Sequence, residues 1–300
     1  MYAKISGILL ALGATFTLAC ADSTSPSERT DTTPAGPAAG PSGPVHQIAY
    51  HNGGSVMLIN SDGSGPALLA SPGWTPSWSP DGKRLVFSNT QCDTDWDSYL
   101  ICEVGGLVIL NPETHEIVTP SAGFVGEEPA WSPTGDMIAF VRRDTGHLYV
   151  MSLDESKPRD IRPAEVSLAN NPSWSPDGRK IVFQCSGGPI GICVVHPDGT
   201  GFALLGTGRS GESRVAPDWS TDGTQIVLGI LSAGTGKIAV MSADGSDQRV
   251  LTDGFGPAWS ADGTQIAFSR NNDGLFIMNK DGSNIKRVVS GIANSPAWRP

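Results

Sequence analysis

Pairs of apolar residues two positions apart recur along most of this chain, as in "RLVF" (84–87), "MIAF" (137–140), "KIVF" (180–183), "QIVL" (225–228) and "QIAF" (265–268). Successive side chains of an extended strand point to opposite faces, so each pair marks one face that can be buried. Helical periodicity is absent throughout. Each pair closes a longer phrase: "PSWSPDGKRLVF" (76–87), "PAWSPTGDMIAF" (129–140), "PSWSPDGRKIVF" (172–183), "PDWSTDGTQIVL" (217–228) and "PAWSADGTQIAF" (257–268). The repeated tryptophans are Trp78, Trp131, Trp174, Trp219, Trp259 and Trp298, spaced by 53, 43, 45, 40 and 39 residues. That period fits one four-stranded blade per repeat.

The phrase has a mechanical reading. Pro presets one turn dihedral, Asp tolerates the next, and Gly takes the positive φ that closes a tight hairpin. Trp is large enough to fill the wedge between adjacent blades. A second repeated signal follows each phrase, as in "MLINSDGS" (57–64), "VVHPDGT" (194–200), "AVMSADGS" (239–246) and "FIMNKDGS" (276–283), with weaker forms at 108–115 and 149–156. It predicts a third strand, a turn and a polar fourth strand. The repeat is cut at both ends: "HQIAY" (46–50) is a second strand with no first, and "PAWRP" (296–300) a first strand with no second. Joined, they complete a sixth blade and leave no blade unpaired. The expected fold is all-β, a six-bladed β-propeller of four-stranded antiparallel blades, closed by pairing of the N- and C-terminal strands.

The first forty-five residues stand apart. Residues 1–20, "MYAKISGILLALGATFTLAC", read as an export signal: Lys4, an apolar stretch, then small residues before Cys20. The stretch is short for a membrane span. It resembles a bacterial lipoprotein signal, which implies lipidation at Cys20, with Thr17 where that motif usually has Leu. Ala21 after the cysteine then implies the outer membrane. Residues 21–45 contain almost nothing to bury and are expected to be a disordered linker, with residues 46–300 as the propeller.

Composition agrees with this plan and narrows the partners. Gly (37) and Pro (23) suit many short strands joined by tight turns, and a charged content of 17% is low for a helical protein. A formal net charge of −10 argues against nucleic acid, which needs a basic surface.

With these residues in view, the repeated P-x-W-S-P-D-G-x-x-I-x-F resembles the TolB-type six-bladed propeller repeat over 46–300. Similar repeats occur in the propellers of dipeptidyl-peptidase-type serine peptidases and in oligogalacturonate lyases. The resemblance implies the fold. The α/β domain that precedes the TolB propeller is replaced here by the linker, and the hydrolase domain of the peptidases has no counterpart before Pro300.

Candidate chemistry is sparse. "GTGRSG" (206–211) matches G-x-G-x-x-G but falls between two strands, where a dinucleotide site needs a strand-to-helix turn. The histidines (46, 51, 115, 147, 196) are scattered. The turn aspartates, Asp62, Asp81, Asp177, Asp198, Asp222, Asp244, Asp262 and Asp281, share one face and are read as turn formers. Asp93, Asp95 and Asp97 in "CDTDWDSYLIC" (92–102) partly imitate a calcium loop but lack its Gly and its final Glu. No cofactor is expected, and calcium is the one candidate ion.

Four cysteines remain after Cys20. Pairing between blades would exceed the roughly 7 Å Cα limit, so two local bonds are expected, Cys92–Cys102 and Cys185–Cys193. The Asp-Gly turns lie on one face and the varied loops on the other, where recognition usually sits. Residues just before each P-x-W are expected to crowd the channel mouth there: Glu127, Glu128, Asn170, Asn171, Arg214 and Asn294, with Arg209 and Glu212 beside them. The expected function is a non-catalytic, monomeric, lipid-anchored envelope scaffold, facing the periplasm or the cell surface and binding a protein, peptide or glycan. The alternative is an enzyme or accessory subunit at the same mouth, such as a lyase-like or peptidase-associated propeller.

Overall fold

The turn after each Trp forms through a three-way arrangement. In Trp-Ser-x-Asp-Gly the buried Ser79, Ser175, Ser220 and Ser260 donate their hydroxyls to Asp81, Asp177, Asp222 and Asp262. The same hydroxyl oxygens accept the backbone N–H five residues on. Gly82, Gly178, Gly223 and Gly263 take φ of 65–71°, a conformation that a side chain would resist. In "SPTGD" the Asp has moved to position 136, where it accepts from the Thr134 hydroxyl and from Ser132, so the turn survives the change of spelling.

These turns set up six four-stranded antiparallel sheets. The computed structural model describes residues 45–300 except 90, 95–99, 104–105, 121–124, 155–156, 209–210 and 272; of 91–94 and 100–103 it describes the backbone. Among the described residues there is no helix. The expected export signal, Cys20 and all but the last residue of the expected linker lie outside the described residues. Blades two to six each run through four strands from the centre outward, the innermost being Trp74–Trp78, Gly126–Trp131, Leu168–Trp174, Glu212–Trp219 and Phe255–Trp259. Blade one takes its inner strand, Asn294–Trp298, from the C-terminal end, and it pairs with Gln47–Asn52 through Ile48↔Trp298, Ala49↔Ala297 and His51↔Asn294. The expected shared blade is present.

An apolar cluster fills each interface between neighbouring blades, including that between six and one. The repeat Trp of each blade packs against the blade before it: Trp78 against Ala49 and Val56, Trp298 against Ala267 and Ile277. All six are 6–7% exposed, which confirms the wedge role. The Cys185–Cys193 disulfide is formed, fully buried within blade four. Cys92 and Cys102 face each other across an extra two-stranded hairpin (Gln91–Thr94 and Leu100–Glu103) inserted into blade two; their side chains lie outside the described residues. So do Asp95, Asp97 and the side chain of Asp93.

Candidate functional site

Each inner strand carries a bulge at the same place, one residue before Pro-x-Trp. The pairing register breaks there in all six blades. The residue preceding Pro is left-handed every time: Thr75 (φ 45°), Glu128 (52°), Asn171 (49°), Ala216 (46°), Gly256 (52°) and Ser295 (50°). For residues with a Cβ this conformation costs about 1 kcal/mol or more. A bulge re-aims side chains that regular alternation would turn elsewhere. Here it lets both the pre-proline residue and the residue between Pro and Trp reach the centre of the ring.

The result is a central channel of about 390 Å³ lined by the inner strands of all six blades. Its outer tier is the six left-handed residues. The tier below is Ser77, Ala130, Ser173, Asp218, Ala258 and Ala297. Pro80, Pro133 and Thr221, from the Asp-Gly turns, also line it, so the channel runs through toward the turn face.

The lower tier also fastens the blades together. Ser77 Oγ accepts the Trp131 N–H of the next blade (3.1 Å), and Ser173 Oγ accepts that of Trp219 (3.3 Å). Asp218 Oδ2 accepts the Trp259 N–H (2.8 Å), while its Oδ1 accepts the Ser173 hydroxyl (2.8 Å). Asp218 thus joins blades four, five and six. Where the tier offers Ala, Trp174 and Trp298 instead donate their indole N–H to the carbonyls of Ala130 and Ala258, each at 3.1 Å. Trp78, which follows Ala297, finds no partner for its indole N–H among the described residues, and nothing in the structure explains that exception.

The electrostatics are one-sided. Asp218 keeps some surface open to the channel but is otherwise enclosed, and burial pushes its carboxyl up to about 6 against its hydrogen bonds. Glu128, whose Oε2 accepts the Asn171 N–H at 2.6 Å, is likewise raised by burial. Among the described residues, no Lys, Arg or His lines the channel.

Of the residues expected at the rim, Glu128 and Asn171 line the channel. Glu127 sits one residue earlier and pairs with Arg143 at 3.2 Å. Asn170 and Asn294 lie across from Gln184 and His51, while Glu212 and Arg214 precede the blade-five bulge; none of these four lines the channel. Arg209 lies outside the described residues. Asp218 was missed, although it is the one charged residue at a P-x-W position that otherwise holds Ser or Ala. The bulges have no signature beyond the Pro itself. Trp74, at the start of the blade-two inner strand, is 38% exposed and stacks on His51 with ring centroids 4.1 Å apart. Burial lowers the His51 pKa, and its Nε2 accepts the Gly54 N–H, so the ring stands neutral.

The turn aspartates are occupied in building turns: each accepts a neighbouring Ser or Thr hydroxyl, as Asp198 does from Thr200 and Asp281 from Ser283. Among the described residues, no group of three or more His, Cys, Asp or Glu is placed to hold a metal ion. "GTGRSG" begins at the end of the outer strand Ala203–Thr207 and leads to the inner strand that starts at Glu212, and among the described residues no helix follows it to receive a phosphate.

The family model described as the TolB beta propeller domain matches residues 55–300. The "Uncharacterized peptidase YuxL" of Bacillus subtilis is 30% identical over 120 residues, which are 37% of this chain and 17% of that protein. The "Tol-Pal system protein TolB" of Francisella tularensis subsp. holarctica is 28% identical over 129 residues, 40% of this chain and 28% of that protein. The chain therefore spans well under a third of either relative by this match. Among solved structures, TolB from Acinetobacter baumannii superposes with a TM-score of 0.67 at 21% identity, covering 85% of this chain and 67% of that one. That likeness establishes the shared fold.

Proposed function

The chain belongs to the TolB β-propeller family, and on that premise we propose that it is a non-catalytic binding scaffold of the cell envelope, engaging a protein, peptide or glycan at the bulge-ringed mouth. The observation that carries this reading is the convergence of six bulged strands on one channel. Six departures from regular pairing, five at residues with a Cβ, bring a polar and partly open surface to one place. Rigid clefts with a few placed polar groups are where ligands bind. The Cys185–Cys193 bond supports an oxidising compartment, consistent with export and with a lipid anchor at Cys20. A monomer suffices for this role.

The alternative is an enzyme at the same mouth. Similarity to a protein named as a peptidase keeps a peptidase-associated propeller in view. A lyase for acidic sugars fits less well, because a lumen whose described lining has two carboxylates and no cation repels such a substrate.

The test is capture from envelope extract with the full chain, followed by mass spectrometry. Ala258→Trp fills the lumen from a small-residue position and is expected to abolish capture while the protein stays folded. Asp177→Asn on the turn face is expected to leave capture intact. A partner retained by the plugged channel but lost by the turn-face variant would place recognition on the other side of the disc.

A further inference from the structure

We propose that Asn52 is a site of spontaneous covalent modification, its side-chain amide lost by cyclisation onto the Gly53 nitrogen to leave aspartate and isoaspartate in the blade that closes the ring. The chemistry needs no binding partner. Asn-Gly is the pairing at which it is easiest, because glycine puts no Cβ in the way of its own nitrogen. The dipeptide occurs once in the chain, so one position is marked out. Asn52 ends the strand Gln47–Asn52 and pairs with Ser55, which opens the strand Ser55–Asn60. Gly53 and Gly54 make the turn between them with φ of 56° and 107°. Asn52 is exposed, and its amide finds no hydrogen-bond partner among the described residues. The Gly53 N–H finds none there either, while the Gly54 N–H goes to His51 Nε2 at 2.8 Å. Nothing lies within 4 Å of where a Cβ would stand on either glycine, so amide and nitrogen have open space in which to meet.

Hydroxide removes the Gly53 amide proton, and the nitrogen attacks Asn52 Cγ. The N–Cγ bond forms, the Cγ–Nδ2 bond breaks, and Nδ2 leaves with a proton as ammonia. Water then opens the cyclic imide. Hydrolysis at Cγ restores the normal backbone with aspartate. Hydrolysis at the Asn52 backbone carbonyl leaves the chain running through the side chain, as isoaspartate. Attack requires Asn52 to rotate out of its extended conformation, which opens only the last pair of a hairpin. Such end pairs open at little cost in free energy. Comparable groups elsewhere are held. Asn60 and Asn279 donate their amides to Ser64 and Ser283 Oγ, each at 3.0 Å, and Asn111 Oδ1 accepts two backbone N–H groups. The aspartates before Gly in the turns could form the same imide. They are fixed, as at Asp81 and Asp222, by a Ser hydroxyl and by the N–H two residues on. Those bonds also hold the carboxyls low, so they stay anionic and resist attack. Isoaspartate at position 52 adds a methylene to the backbone beside the pair His51↔Asn294, where the closing strand joins. The change therefore loosens ring closure, slowly and in one direction.

The experiment ages the full chain in mildly alkaline buffer, digests it under acidic conditions that halt cyclisation, and maps the peptides by mass spectrometry. Isoaspartate is labelled with an isoaspartate-specific methyltransferase. The peptide carrying Asn52 is expected to gain the mass difference between amide and acid, and the label, roughly tenfold faster than any other asparagine peptide. The Asp-Gly turns are expected to take up no label until urea unfolds the protein. Asn52→Gln, whose longer side chain would need a larger ring, is expected to abolish the change. On ageing, the natural chain is expected to lose roughly 2–4 °C in melting temperature while the variant holds. An Asn52 peptide that stays intact, or changes no faster than the other asparagines, overturns the proposal, and this comparison needs no variant to fold. Label appearing first at the Asp-Gly turns of the folded protein overturns it too. An equal fall in melting temperature in both proteins overturns the effect on ring closure.

Discussion

At the scale of the residue, Asp218 departs most from its repeat. Five inner strands place Ser or Ala between Pro and Trp, and the sixth places a carboxylate that links three blades. Its carboxyl is raised to about 6 from an ordinary 3.8, chiefly by burial. A folded-state pKa above the unfolded one gives a contribution that is full below about 4 and lost as pH rises through 6. The difference corresponds to about 3 kcal/mol at most. Asp218→Asn keeps a side-chain oxygen for the Trp259 N–H and supplies an amide for Ser173 Oγ, without the charge. The variant is therefore expected to match the natural protein near pH 4 and to be the more stable near pH 8, as read by denaturant unfolding. Parallel pH profiles for the two proteins would contradict this.

At the scale of the element, the strand Asn294–Trp298 closes the ring, and Arg299 locks it. This residue occupies the place that Ser holds after Trp in the other five blades. Its guanidinium donates to Gly82 O (2.7 Å), Gln47 Oε1 (2.7 Å) and Glu113 Oε1 (2.9 Å), and lies 4.9 Å from the centre of the Trp78 ring. One side chain thus ties the closing strand to blade two and to the first strand. Arg299→Ala is expected to cost about 1–2 kcal/mol, or roughly 3–6 °C in melting temperature. Arg299→Lys keeps the charge without the planar fork and is expected to recover little. Removal of residues 296–300 uncovers the edge of Gln47–Asn52 and is expected to cause a much larger fall or aggregation. An unchanged melting temperature in the truncated protein would rule out the closing role of this strand.

At the scale of the whole molecule, two sets of carboxylates pull stability in opposite directions with pH. Around the turn face, Asp62, Asp81, Asp136, Asp177, Asp198, Asp222, Asp244 and Asp281 are held low chiefly by Ser or Thr hydroxyls, with backbone N–H donors assisting at most of them; Asp222 sits at about 2. At Asp262 burial opposes the same bonds, yet the net shift is still downward. A depressed folded-state pKa gives stability present above about 4 and lost as pH falls toward 2. In the channel, Asp218 and Glu128 have the opposite sign. Melting temperature is therefore expected to peak between about pH 4 and 6 and to fall steeply on the acid side. A rise continuing to pH 2 would contradict the role given to the turns. The same division separates what the sequence alone determined from what folding decided. Strand order and the turns were legible because they rest on contacts between residues near in sequence, and blade number, the wedge tryptophans and the shared blade because one phrase is written out again in every repeat and cut at both ends. Local spacing also indicated Cys185 with Cys193. The channel was not legible in this way. Whether Glu128 or Glu127 faces the lumen depends on a bulge, and Asp218 matters because Ser173 and Trp259 come from neighbouring blades. Only closure of the ring brings six distant strands within reach of one another, and with them the burial that raises these two carboxyls.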